Sequence, residues 1–183
     1  MRHNKIIQLP FSLIVGVILA FSMSCTTSNA PDNQPSNPPA SSTGLNVSVV
    51  TSTAGGGYAP KHVFAIWIEN SAGTFIKTLV AYAKDRDYDL TAWKTSSMGN
   101  TIDAVTGATQ SSNGTISGTW NGTDVSGKVV ADGTYRVCME LTDKGTTGNF
   151  SFYTFTKGAS TVTVTPPNAP SFSSVSIKWV PLQ

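Results

Sequence analysis

The residues best spaced for chemistry lie in one short run, Asp103-Ala104-Val105-Thr106-Gly107-Ala108-Thr109. It sets a carboxylate and two hydroxyls around two residues with almost no side-chain bulk. A neutral hydroxyl is a poor nucleophile until a base activates it. Gly107 and Ala108 leave the backbone open to close approach, so the Thr109 hydroxyl could enter another protein's active site and be activated there. The same run also reads as plain loop. Thr, Gly, Ser and Ala crowd this chain, and residues 96–118 form the longest turn-rich stretch of the domain. Short motifs arise by chance often enough to keep both readings open.

Other reactive side chains are few. Besides His3, His62 is the only histidine, so no Ser-His-Asp set can be assembled. With two histidines and two cysteines, a clustered zinc site and a disulfide framework are excluded on count. His62 follows Lys61 at a predicted strand start and is expected to be structural or exposed. Cys138 stands in an apolar strand and reads as a small buried hydrophobe. Asp85, Asp87 and Asp89 alternate without a closing glutamate, which favours a solvated loop over a calcium site. Gly55-Gly56-Gly57 lacks the Gly-Lys-Ser/Thr that completes a phosphate loop. No metal site and no independent catalytic site is expected.

The elements that must hold these residues are strands. Runs rich in Val, Ile, Thr and aromatics at 45–50, 62–69, 74–82, 115–120, 134–141, 150–155, 160–165 and 173–179 are separated by Gly, Asn, Asp and Ser. The run 62–69 is apolar on both faces, as in a central strand, and Tyr135, Val137, Met139 and Leu141 share one side of theirs. Only 85–94 suggests a helical turn. The spacing predicts an all-β fold, an antiparallel Ig-like β-sandwich over residues 45–183. Asn121 and Asp124 are expected to shape their own turn, because Asx side chains bond nearby backbone.

The segment before that domain reads as export machinery. Residues 1–10 are basic, and 11–21 form an apolar run of roughly 11 residues, too short for a membrane span of ~20. Ser22-Met23-Ser24-Cys25 follows. It resembles a lipoprotein signal occupying residues 1–24, with Ser22 where a leucine is usual. The resemblance implies lipid on Cys25 and a tether to a bilayer surface. Thr26 and the lack of a following acidic run point to the outer membrane, facing the periplasm. Residues 25–44 form a Pro/Ser/Asn-rich linker that cannot bury enough surface to offset chain entropy. The chain has 12 Lys and Arg against 10 Asp and Glu; Arg2 and Lys5 lie in the signal, so the exported part is formally neutral. A nucleic-acid partner needs a basic surplus and is not expected.

Three resemblances add to this reading. The turn from Trp120 through Asn121, Gly122 and Asp124, followed by Gly133-Thr134-Tyr135, resembles the Ig-like module of flagellar hook-capping proteins. The ordered runs 63–69, 77–79, 90–93, 103–109, 120–124 and 133–137 resemble domain of unknown function 2271, a predicted periplasmic family. That likeness implies a secreted Ig-like domain and no particular activity. Asp103-x-x-Thr106-Gly107-Ala108-Thr109 resembles the acceptor motif for covalent flavin attachment in extracytosolic electron-transfer proteins. It implies FMN joined by a phosphoester to Thr109 by a Mg-dependent flavin transferase, with Asp103, Thr106, Gly107 and Ala108 shaping or marking the loop. The redox chemistry would be the flavin's. Trp93, Trp120 or Tyr58 could stack on its ring, although aromatics in a sandwich are more often core.

Two functions follow. One is a lipid-anchored electron carrier with FMN on Thr109, exchanging electrons with a membrane redox partner. The other is a cofactor-free Ig-like envelope module that binds another protein or a glycan. The first requires Thr109 to be solvent-exposed, and under the second Thr109 should be hydrogen-bonded or packed within the sandwich.

Overall fold

The computed structural model describes residues 43–100, 103 and 106–182. The expected signal 1–24, Cys25, most of the linker, Ala104 and the side chain of Thr106 lie outside the described residues. Nine strands occur among them: β1 Gly44–Thr51, β2 Val63–Asn70, β3 Phe75–Tyr82, β4 Thr106–Gly107, β5 Thr115–Trp120, β6 Gly133–Thr142, β7 Asn149–Lys157, β8 Val162–Val164 and β9 Phe172–Val180. A 3₁₀ turn at Asp87–Asp89 leads to helix α1, Thr91–Ser97.

The strands form two sheets, ordered β5-β1-β9-β8 and β4-β3-β2-β6-β7. All pairings are antiparallel except β3 with the two-residue β4. The fold is therefore an all-β sandwich, as expected. Its neighbours follow the Ig order, with β1 in the place of strand B beside β5 as E, and β3-β2-β6-β7 as C′-C-F-G. The place of strand A is taken by β9, which comes last in the chain. Tyr135, near the start of β6, donates its hydroxyl to the Ala131 carbonyl at 2.6 Å, the tyrosine corner of Ig sandwiches.

Alternation decides which faces meet. Leu45, Val47 and Val49 of β1, Phe64, Ile66 and Ile68 of β2, and Tyr135, Val137, Met139 and Leu141 of β6 point into one core with Ile177 and Trp179 of β9. The strand β2 is buried on both faces because a second cluster lies on its outer side. There Val63, Ala65 and Trp67 pack with Cys138, Leu90 and Trp93 of the α1 segment.

The helix runs past the expected turn, to Ser97, and its first turn is capped from far away in sequence. Leu90 offers no side-chain cap. Instead Glu140 of β6, fully buried, accepts the Ala92 and Trp93 backbone N–H groups at 3.2 and 2.9 Å. Trp93 then enters the outer cluster and donates its indole N–H to Thr78 at 2.9 Å. Burial raises the Glu140 pKa, and the N–H groups of Trp93 and Ala92 work against that rise.

Candidate functional site

The segment holding the candidate residues runs along the free edge of β3. Between Ile66 and Trp67 of β2, the β3 partner steps from Val80 to Thr78, so Leu79 is an extra, bulged residue. The Thr78 N–H faces the sheet edge there, and Asp103 accepts it through Oδ2 at 2.8 Å. The other Asp103 oxygen is buried with no hydrogen-bond partner among the described residues. Asp103 thus completes a strand edge.

Three residues on, the chain joins the sheet itself. Thr106 and Gly107 pair in parallel with Ala81 and Tyr82, and the Gly107 carbonyl accepts the Lys84 N–H at 3.2 Å. A Cβ on Gly107 would lie 2.5 Å from Cδ1 of the Tyr82 ring, so only glycine fits this approach. Gln110 forms the next anchor. Its N–H and carbonyl bond the carbonyl and N–H of His62 at 2.9 and 3.0 Å. Between the two anchors stand Ala108, exposed, and Thr109, partly exposed and outside any strand. Among the described residues the Thr109 side chain makes no hydrogen bond.

His62 itself is buried. Its Nδ1 lies 3.1 Å from the Pro60 carbonyl, and its Nε2 is buried with no partner among the described residues. Burial lowers its pKa, opposed by the Pro60 carbonyl and the Asp143 charge. Its place in the sequence beside Lys61 therefore reflects structure, through the backbone pair with Gln110. Two lysines flank the loop: Lys84, whose own N–H bonds Gly107, and Lys61, which precedes His62. Both are exposed and neither takes part in an ion pair among the described residues. Spacing alone did not single them out, because they become neighbours of Thr109 only through the pairings with β3 and His62.

The remaining candidates resolve into structure. Trp93 and Trp120 are buried, and Trp120 donates its indole N–H to the Thr123 carbonyl at 2.7 Å, so neither ring is open to a ligand. Tyr58 is 53% exposed, with the Arg86 guanidinium 4.1 Å above its ring. Asn121 and Asp124 shape their turn: Asn121 Oδ1 takes the Thr123 N–H, and Asp124 Oδ1 takes those of Ser126 and Lys128. Asp87 pairs with Lys94 and Asp89 with Arg86. Gly56 donates to Asp143, which ties the glycine run to the end of β6. Cys138 is buried, and its thiol pKa is pushed up by burial and then by Glu69. A cleft of about 350 Å³ opens at the Asp103 end of the β3 edge, between Lys77, Leu79 and Asn121.

Residues 45–160 match the family model described as predicted periplasmic protein, domain of unknown function 2271, and the chain belongs to that family. The match spans β1 to β7 and includes the whole of 103–110. No curated protein and no solved structure matches the chain. The family description indicates a periplasmic protein.

Proposed function

We propose that this member of the predicted periplasmic family is an extracytosolic electron carrier with FMN covalently attached through the Thr109 hydroxyl. The observation that carries the reading is the state of Thr109 itself: partly exposed, free of hydrogen bonds to described residues, and set on a two-residue step fixed at Gly107 and at Gln110. A transferase needs a hydroxyl it can surround and deprotonate, and this loop offers one with little bulk beside it. In the attachment step the Thr109 Oγ1–phosphorus bond forms as the pyrophosphate P–O bond of a flavin dinucleotide donor breaks, a nucleoside monophosphate leaves, and the hydroxyl proton passes to a base of the transferase. Bound flavin supplies one- and two-electron chemistry. The chain's own residues fix the attachment point through the backbone bonds of Gly107 and Gln110.

Lipid on Cys25, the linker 25–44 as a flexible tether, and outer-membrane attachment facing the periplasm belong to the same proposal. A tethered domain could move between a membrane redox partner and an acceptor. A cofactor-free envelope module that binds a protein or a glycan is the second reading. It is favoured by Asp103 and Gly107, whose identities the fold already accounts for through Thr78 and Tyr82.

Export of the chain together with a flavin transferase, followed by denaturing gel fluorescence, separates the two. The flavin reading predicts a fluorescent band that Thr109→Ala abolishes and Thr109→Ser retains. No band from the wild type, with a control substrate labelled in the same cells, would leave the cofactor-free module.

A further inference from the structure

We infer that β7 is an interaction edge at which two copies of this chain pair, strand against strand, into one continuous sheet. This rests on the fold alone and stands or falls separately from the flavin reading. β7 ends the five-stranded sheet, and its nine residues pair with β6 without a bulge. The main-chain groups on its other side have no main-chain partner among the described residues. Edges of this length are usually blunted by proline, exposed lysine, a bulge or a covering segment. The strand contains no proline, and its single charged residue, the terminal Lys157, is buried with its ammonium bonded to Asp132.

Its outer face is apolar where an exposed strand should be polar. Phe150 and Phe152 are 45% and 48% exposed. Phe150 stacks on Trp67 at 5.7 Å, and the Arg136 guanidinium lies 4.9 Å above Phe152. The uncharged run 149–156 fits a second copy of itself as the occupant. A two-fold axis at Tyr153 sets Phe152 opposite Thr154 of the other copy and Phe150 opposite Thr156, in both directions. These are aromatic–β-branched pairs, favourable across antiparallel strands, and no like charges face each other. A charged peptide would find no matching charge along 149–156. The strand spans about 30 Å, which gives an interface at the small end of the specific class and hence a concentration-dependent dimer.

The test is sedimentation velocity on the exported chain carrying Cys25→Ser, so that no acyl group gathers copies, from about 1 to about 200 µM. The mass should rise toward twice that of the monomer. Phe152→Lys combined with Thr154→Lys sets lysine against lysine at both contacts and should abolish the rise, and Phe152→Glu with Thr154→Glu should do the same. An equimolar mixture of the two variants should pair again. A wild type that stays monomeric, a dimer that survives either double substitution, or a mixture that stays monomeric while each variant keeps the wild-type near-UV spectrum would overturn the inference.

Discussion

His62 bonds the loop through its backbone while its ring lies in the interior, and this ties the anchor to pH. Its folded pKa is lowered from 6.5 by burial, and protonating Nε2 would bury an N–H with no acceptor. The unfolded chain therefore binds a proton that the fold does not. The stabilisation is complete above about pH 6.5 and is lost as pH falls toward the folded pKa. Urea midpoints should decline between about pH 7 and pH 5, and His62→Phe should flatten that decline relative to wild type. Identical slopes would show that the ring does not carry the effect. Gly107 makes the second residue-scale prediction. In Gly107→Ala the added Cβ meets the buried Tyr82 ring, so β4 should part from β3. Hydrogen exchange would report it at the Lys84 amide, which should exchange about tenfold faster or more, as an open pairing requires. An unchanged rate would mean the ring yields instead.

At the scale of elements, α1 depends on a carboxylate two strands away. Glu140→Ala would leave the Ala92 and Trp93 N–H groups without an acceptor and should lower stability by about 2 kcal/mol, measured by urea unfolding. Glu140→Gln keeps one acceptor oxygen and should cost less. Equal losses would mean that the cap contributes little beside the packing of Trp93. The same element marks where sequence reading stops. The run 85–94 has a weak helical pattern, but the cap on the first turn of α1 comes from Glu140, 47 residues beyond Trp93, and Met98 in the left-handed region ends the helix. Strand β4 was likewise hidden. Two residues show no period, and Thr106-Gly107 becomes a strand only because a bulge at Leu79 and the flat Tyr82 ring leave β3 an open edge. The longer strands were legible, since alternation in 45–50 and 134–141 and the two-faced apolar run of 62–69 each had one burial solution.

For the whole molecule, composition and spacing were enough to announce a sandwich. They did not announce that β9 would insert between β1 and β8, because pairing across more than a hundred residues leaves no local mark. The candidate loop was legible as a run of residue types. Its anchors were not, since Lys84 and His62 reach it only through the folded sheets. Across these scales, a β-sandwich of a predicted periplasmic family presents a partly exposed Thr109, for which we propose flavin attachment. Intact-mass measurement of the exported chain, co-produced with a flavin transferase and mapped by fragmentation, tests it most directly. The account predicts a gain equal to FMN less one water, located on Thr109 and absent from Thr109→Ala. An unmodified mass, with a control acceptor labelled in the same cells, or the same gain on another residue, would contradict it.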